Sequence, residues 1–273
     1  MQVAGLQFDI AWEQPQENFR RVETLARQAV ENGARLLVLP EMFATGFSMH
    51  LEALSQQAPS IESWVASLAY DLQVHVVAGV ADVDATLSAQ GASPAGVNLA
   101  LVYNPDGQKV GSYQKIHPFS YGEEHKHYRG GRQLFSFEAE CLRITPYVCY
   151  DLRFPEIFRL MAAQTDLMLV IASWPAARRH AWRSLLVARA IENQCFVMGV
   201  NRVGEGQGLL YSGDSVLIDP LGERISEVAD GPAVVMGEVD AAAVVRVRER
   251  FPFLKDRQDT LYQQLASTLA QRG

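Results

Sequence analysis

Three apolar segments of the chain each end in a residue that can take part in chemistry. Glu41 follows the segment LLVLP, Lys115 follows VGSYQ, and Cys149 follows LRITPYV. In layered α/β folds the ends of such strands converge on one crevice, where a carboxylate, an ammonium and a thiol would meet. The carboxylate can act as general base for the thiol, and the ammonium can lower the thiol pKa and stabilise an oxyanion. The three residues together predict covalent catalysis by cysteine.

Each of these signals taken singly has a simpler interpretation. A glutamate or lysine at a strand end is more often a solvated turn residue, and a buried cysteine is usually a small hydrophobe, which is our interpretation of Cys141 and Cys195. The chain has 3 cysteines with no C-x-x-C spacing. This odd number argues against a disulfide framework or a structural zinc site, and it is typical of a reducing cytoplasm.

The elements that position these residues alternate between strand and helix. Residues 3–10, 15–32 and 36–39 show the patterns of a strand, a helix and a strand, as in a βαβ unit. Later segments predict strands at 74–81, 97–103, 110–114, 134–137, 142–148, 167–172, 195–203, 213–219 and 234–239, helices at 61–72, 155–164 and 180–193, and loops at 84–95 and 204–208. We find no linker and no repeat, so we expect residues 1–273 to form a single α/β domain in which 254–273 are a C-terminal tail.

Composition excludes several classes of function. The formal net charge of −7 gives no electrostatic support for binding nucleic acid or an anionic membrane. The longest apolar runs, such as Leu167 to Ala172, are far too short to span a bilayer. The N-terminus lacks the basic region of a signal peptide, so we expect a cytoplasmic protein. A nucleotide-binding protein is disfavoured because no glycine-rich phosphate loop is present.

The segments around the three residues resemble a known family. LPEMF at Glu41, YQKIHPF at Lys115 and VCYDLRFPE at Cys149 resemble the three signatures of the nitrilase superfamily of carbon–nitrogen hydrolases. The resemblance continues through ASWP, RAIENQ, NRVG, YSGDS and RERFPFLKDR, and so covers essentially the whole chain. It implies a four-layer α-β-β-α sandwich, pairing into homodimers or higher homo-oligomers, and no metal or organic cofactor.

The resemblance also implies roles for particular residues. Glu41 is similar to the general base of the family, Lys115 to its catalytic lysine and Cys149 to its nucleophile. The family adds a second glutamate after the lysine, for which Glu123 and Glu124 are both candidates. The pattern EHxxY resembles the omega-amidase branch and favours Glu124.

Five further features could serve the site or the fold. The backbone N–H of Tyr150 could bind an oxyanion together with Lys115, and Trp174 resembles a pocket-wall residue, although a core tryptophan is the alternative. Arg153 is expected to pair with a carboxylate such as Glu156. The basic cluster at 178–183 could attract a substrate carboxylate or could be a solvated helix start. Histidines in the segment 123–128 could bind a metal, but such loops are commonly just solvated, and we expect no metal.

The combined motifs look most like those of omega-amidases. Such an enzyme hydrolyses the terminal carboxamide of a small carboxylate, for example 2-oxoglutaramate or 2-oxosuccinamate, through a thioester acyl-enzyme. The alternatives within the family are a deaminated glutathione amidase, an aliphatic amidase and an N-carbamoyl amino acid hydrolase. A papain-like hydrolase would instead pair Cys149 with a histidine such as His117. A binding module that kept the fold without catalysis is disfavoured by the presence of all three reactive residues.

Overall fold

A computed structural model describes residues 1–84 and 94–270. The strands of these residues are β1 (Gln2–Gln7), β2 (Leu36–Val38), β3 (His75–Val83), β4 (Gly96–Tyr103), β5 (Lys109–Gln114), β6 (Phe137–Ala139), β7 (Leu142–Val148), β8 (Leu167–Ala172), β9 (Phe196–Asn201), β10 (Val203–Gly206), β11 (Leu209–Ser212), β12 (Ser215–Ile218), β13 (Arg224–Val228) and β14 (Ala233–Glu238). The helices are α1 (Pro15–Glu31), α2 (Leu51–Leu72), α3 (Pro155–Met161), α4 (Arg179–Asn193), α5 (Ala241–Arg250) and α6 (Asp259–Ala270).

Most of the strands form two six-stranded sheets with the same internal plan. The first sheet has the order β14-β1-β2-β3-β4-β5, and the second has the order β13-β12-β9-β8-β7-β6. Three adjacent strands are parallel in each sheet, β1-β2-β3 in the first and β7-β8-β9 in the second, and the outer strands pair antiparallel to them. Parallel neighbours need crossovers, which α1, α2, α3 and α4 supply.

Alternation along the strands places the two sheets face to face. In β2 the side chains of Leu36 and Val38 pack in the core that joins the two sheets, whereas Leu37 packs toward helices α1 and α2. This period of two is what a strand covered on both faces requires. Gly5 allows the close approach, because a Cβ there would lie 2.5 Å from Val200 of the opposite sheet. The layers are therefore helix, sheet, sheet, helix, as the sequence predicted.

Several elements differ from the sequence prediction: β6 begins at Phe137 rather than at residue 134, and β11, β13 and α5 were not predicted. Helix α2 begins at Leu51 rather than after residue 60, and it continues through Pro59. Proline ordinarily ends a helix, but Leu54 and Ala58 extend the buried face of α2 across Pro59. Residues 204–208, predicted as a loop, lie instead in the two-stranded hairpin β10–β11. Its turn holds Gln207 and Gly208 at positive φ (52° and 72°), as tight hairpins require.

The predicted C-terminal tail contains a helix that packs against little else. This helix, α6, is exposed along its whole length. Most of the loop predicted at 84–95 lies outside the described residues. Among the residues described, no helix is long and apolar enough to cross a membrane.

Candidate active site

Both sheets contribute to the site. Glu41 lies just beyond β2 and Lys115 directly follows β5, both in the first sheet, while Cys149 directly follows β7 in the second. Glu124 comes from a 3₁₀ turn, Glu124–Lys126, in the long connection between β5 and β6. The structure brings these four predicted residues together at one end of the paired sheets.

The base of the site is a charged cluster that we call the floor, made of Glu41, Asn98, Lys115 and Glu124. Each of these residues is at most 1% exposed. The Lys115 ammonium lies 2.9 Å from Glu41 Oε1 and 2.8 Å from Glu124 Oε2. The Asn98 amide donates to both carboxylates, at 2.8 Å to Glu41 Oε1 and 3.0 Å to Glu124 Oε1. The floor is thus a closed network of two carboxylates, one ammonium and one amide.

The charge on Lys115 is maintained by its neighbours. Burial alone lowers the pKa of a lysine, but the carboxylates of Glu124 and Glu41 outweigh it and raise the pKa of Lys115 well above the ordinary value. The side chain is therefore an ammonium at neutral pH. A fixed positive charge in a site of low dielectric is suited to stabilising a developing oxyanion.

Glu41 is held from both sides. Its Oε1 accepts hydrogen bonds from the floor, and its Oε2 accepts one from the Ser173 backbone N–H at 2.9 Å. Gly79 on β3 lets the chain run close by, since a Cβ there would lie 2.5 Å from the Glu41 Cα. The carboxylate therefore has a fixed orientation beside Cys149, whose thiol pKa it raises.

The Cys149 thiol is protonated at neutral pH. Burial is the largest cause and the Glu41 carboxylate the second, and together they raise the thiol pKa well above the ordinary value, although Lys115 opposes them. A protonated thiol is a weak nucleophile, so attack on a carbonyl needs a base that accepts its proton. Glu41 is the neighbouring carboxylate that could accept it.

Three of the ten non-glycine residues at positive φ in the described chain lie at or beside this site. Cys149 has a φ of 47°, Met42 next to Glu41 has 48°, and Glu123 next to Glu124 has 60°. Non-glycine residues rarely adopt this left-handed region, and such positions cluster at functional sites. At Cys149 the conformation makes the sharp turn from β7 into the 3₁₀ segment Cys149–Arg153.

Asp151 connects the turn that begins at Cys149 to strand β5, which precedes Lys115. This buried carboxylate accepts hydrogen bonds from the Tyr113 hydroxyl at 2.8 Å, the His117 backbone N–H at 3.0 Å and the Val148 backbone N–H at 3.2 Å. His117 Nδ1 also lies 2.8 Å from it. Sequence reasoning gave Asp151 no role, although it lies two residues after the cysteine. The contacts fix the ends of β5 and β7 relative to each other.

A cavity of about 320 Å³ opens above Cys149. Both Tyr150 and Trp174 line it, and their roles in binding a substrate stay predictions. Five of the lining residues, which we call the rim, are Arg153, Arg178 and the hairpin residues Gln207, Leu209 and Tyr211. A pocket of this size, near the lower end of the usual range of about 300–1,000 Å³, accommodates a small ligand.

The basic cluster predicted at 178–183 is divided by the structure. Arg179 pairs with Asp214 at 2.7 Å, and Arg183 pairs with Glu227 at 2.9 Å, both outside the cavity. Arg178 faces the cavity instead, 5.1 Å above the Phe119 ring.

Arg153 also differs from expectation. Its guanidinium lies 4.8 Å above the Trp174 ring and does not pair with Glu156. Stacking on the buried indole holds this cation at the cavity wall. Within residues 1–84 and 94–270, neither Arg153 nor Arg178 forms an ion pair with a carboxylate.

Three other predictions can be compared with the structure. Of the two adjacent glutamates, Glu124 belongs to the floor, whereas the Glu123 side chain is 66% exposed and pairs with Lys126. Among the described residues, no group of His, Cys, Asp and Glu side chains is arranged to hold a metal ion. His117, which the papain-like alternative would pair with Cys149, is turned to other partners: it contacts Asp151 and stacks on Phe154 at 3.8 Å.

Sequence reasoning missed Asn98 and Ser173 as parts of the site. A signal for Asn98 was present, because it is the lone polar residue within the apolar strand VNLALV. For Ser173 no side-chain signal exists, since the contact to the Glu41 carboxylate is made by its backbone N–H.

Comparison with known proteins identifies relatives over nearly the full length. Residues 2–249 match the carbon-nitrogen hydrolase family. The chain is 33% identical to 2-oxoglutaramate amidase of Bacillus subtilis, over 95% of this chain and 98% of that protein. It is 36% identical to omega-amidase YafV of Escherichia coli, over 94% and 96% of the two chains. A solved CN-hydrolase superfamily protein from Xanthomonas campestris, with an arsenic adduct in its active site, is 35% identical with a TM-score of 0.85, covering 94% of this chain and 97% of that one.

Proposed function

We propose that this chain, which belongs to the carbon–nitrogen hydrolase family and is an amidase of that family, is an omega-amidase. Its proposed substrate is a small 2-oxo acid with a terminal carboxamide, such as 2-oxoglutaramate or 2-oxosuccinamate. The observation that carries this proposal is the presence of two arginine cations in the cavity above Cys149. Arg153 and Arg178 both line the cavity and form no ion pair within the described part of the chain. A carboxylate at the far end of the substrate satisfies them.

The proposed reaction begins with Cys149. Its Sγ attacks the amide carbonyl carbon while Glu41 accepts the thiol proton, which forms a tetrahedral intermediate with a negative oxygen. The Lys115 ammonium and the backbone N–H of Tyr150 stabilise that oxygen. Glu41 then returns the proton to the amide nitrogen, the C–N bond breaks, and ammonia leaves a thioester on Cys149.

The second half repeats these steps with water. Glu41 takes a proton from water, whose oxygen attacks the thioester carbonyl, and a second tetrahedral intermediate forms in the same position. Its collapse breaks the C–S bond and releases the dicarboxylate, while the proton returns to the Cys149 sulfur. Glu124 keeps Lys115 in place throughout, since it supplies two of the three short contacts of the ammonium.

Ammonia release from a panel of substrates tests the proposal. We expect the highest kcat/KM with 2-oxo dicarboxylate monoamides, a much lower value with uncharged aliphatic amides, and none with N-carbamoyl amino acids. The Cys149→Ala variant is expected to lose turnover altogether because, among the described residues, no other thiol lines the cavity. Equal activity on uncharged amides would overturn the assignment of substrate, and turnover by Cys149→Ala would overturn the mechanism.

We also propose that the protein acts in the cytoplasm and forms a homodimer or higher homo-oligomer. Each subunit is proposed to be a single domain with a C-terminal tail at residues 254–273. Three free cysteines, one of them the nucleophile, suit a reducing compartment. Leu160 on α3 and Ile191 on α4 are 62% and 52% exposed on the outer helix layer, where a second subunit would cover them. Light scattering that gives a monomer mass at micromolar concentration would contradict the oligomer, and two separate unfolding transitions would contradict the single domain.

A further inference from the structure

Asn98 has an unusual set of contacts for an asparagine in the middle of a strand. It lies on β4, is 1% exposed and does not line the cavity. The two hydrogens of its amide are directed to Glu41 Oε1 and Glu124 Oε1, at 2.8 and 3.0 Å, and its backbone oxygen accepts from the Lys115 backbone N–H at 2.9 Å. One residue thus contacts the three charged members of the floor.

The amide oxygen of Asn98 shows which orientation its side-chain amide adopts. Asn98 Oδ1 is buried without a hydrogen-bond partner among the described residues. An unsatisfied buried acceptor is costly. The reversed orientation would be worse, since it would place Oδ1 2.8 and 3.0 Å from two carboxylate oxygens. The side chain is therefore fixed as a double donor.

The floor needs such a donor because its charges are unbalanced. Glu41 and Glu124 carry two negative charges, whereas Lys115 supplies one positive charge. A second cation would compete with Lys115 for the carboxylates, while an apolar residue would leave the two carboxylates without these donors. An amide supplies two hydrogens with no net charge.

We propose that Asn98 is a positioning residue that holds the Glu41 and Glu124 carboxylates in fixed places around Lys115, so that Glu41 stays aligned with the Cys149 thiol. This inference rests on the proposed function, in which Glu41 transfers the thiol proton. Asn98 contacts no substrate, so its loss acts on the rate of the chemical steps rather than on binding. The identity of the residue is set by hydrogen-bond donation and not by size.

Two variants of similar size separate donation from packing. Asn98→Leu removes both donors, and we expect kcat to fall roughly 10–100-fold with KM changed less than about threefold, the scale of loss from a misplaced catalytic group. Asn98→Asp places a third carboxylate in the floor and lowers kcat at least as far. Its carboxyl group becomes a donor when protonated, so the ratio of its kcat to that of wild type rises as the pH is lowered.

A matched control is provided by Asn193 on α4. This asparagine is also fully buried with an unpaired Oδ1 among the described residues, but its amide donates only to the Arg189 backbone carbonyl. Asn193→Leu is expected to change thermal stability and not kcat. A folded Asn98→Leu enzyme with wild-type kcat, a loss confined to KM, or a kcat ratio for Asn98→Asp that does not vary with pH would each overturn the inference.

A second measurement needs no substrate and so separates this inference from the proposed function. Thermal unfolding is compared for Asn98→Leu, Glu41→Gln and the double variant. Because Asn98 donates directly to Glu41, we expect the double variant to lose less Tm than the sum of the two single losses. Additive losses would overturn the inference even if the enzyme is an omega-amidase. Conversely, coupled losses in a protein that releases no ammonia from any 2-oxo acid amide would leave the role of Asn98 standing and reject the substrate.

Discussion

The floor and the rim of the cavity are built in opposite ways. In the floor, every polar side-chain group except one amide oxygen has a hydrogen-bond partner among the described residues, and the members are at most 1% exposed. At the rim, Arg153 and Arg178 rest on aromatic rings without a carboxylate partner in the described chain, and Leu209 of the hairpin is 44% exposed. The floor forms its contacts without a ligand, whereas the proposed substrate would supply the contacts that the rim lacks.

This difference separates two tasks. A satisfied, buried network resists rearrangement and holds reacting groups in place. In the proposed function, the two cations of the rim gain carboxylate partners when the substrate binds. Substitutions in the floor should therefore lower kcat, and substitutions at the rim should raise KM. The following predictions test that division, beginning with the largest effect.

The largest effect is expected from Lys115→Met in the floor. Loss of one oxyanion donor should lower kcat by roughly 10²–10³. The substitution also leaves Glu41 and Glu124 buried without their cation, which should cost about 3–5 kcal/mol of unfolding free energy. Steady-state kinetics and urea unfolding measure the two effects.

The control for Lys115 lies on the same loop as Glu124. Lys126 is 56% exposed and pairs with Glu123 at the surface. Lys126→Met should leave both kcat and stability nearly unchanged, because exposed ion pairs contribute little. If Lys115→Met and Lys126→Met changed kcat and stability equally, the buried network would contribute no more than an exposed ion pair.

The next effect is a decrease of more than tenfold in the rate at which the Cys149 thiol is alkylated, relative to a free thiol. Because burial and Glu41 raise the pKa of Cys149, little thiolate is present at pH 7. An uncharged alkylating reagent should label Cys149 more than tenfold more slowly than a free thiol, whose pKa is about 8.5. The rate should keep rising above pH 9, as followed by mass spectrometry of the Cys149 peptide. A rate that levels off below pH 8 would show that the floor lowers the pKa instead.

A smaller effect, about tenfold, is expected at the rim. Arg178→Met should raise KM for a carboxylate-bearing amide about tenfold through loss of one charged hydrogen bond, with kcat and the kinetics of an uncharged amide little changed. Arg183→Met is the matched control, since Arg183 pairs with Glu227 outside the cavity. A fall in kcat with unchanged KM for Arg178→Met would place this arginine in the machinery of the reaction rather than at the rim.

The features of the fold and of the site that the sequence could predict are those marked by local patterns. Glu41, Lys115 and Cys149 were found because each follows an apolar strand and carries a characteristic segment, and Glu124 was preferred to Glu123 on the pattern EHxxY. The α/β class followed from alternating strands and helices, and the four layers followed from the family resemblance. All of these are local patterns that the chain displays in one dimension.

The remaining features depend on contacts between distant segments. The Ser173 backbone N–H reaches Glu41 across 132 positions of sequence, and no residue type signals that a backbone group will be used. The basic cluster at 178–183 could not be divided in advance, because the division depends on where Asp214 and Glu227 lie. Likewise residues 204–208 of the hairpin β10–β11 were predicted as a loop, since their glycines are equally typical of loops and of tight hairpins.

The φ of 47° at Cys149 has a consequence for the evolution and engineering of this enzyme. A non-glycine residue held in that region costs roughly 1–3 kcal/mol, which glycine would largely avoid. A chain selected for thermal stability alone would therefore gain from glycine at position 149. Relieving the strain at that position would remove the thiol. The activity of this molecule and its margin of stability are, at this position, in direct opposition.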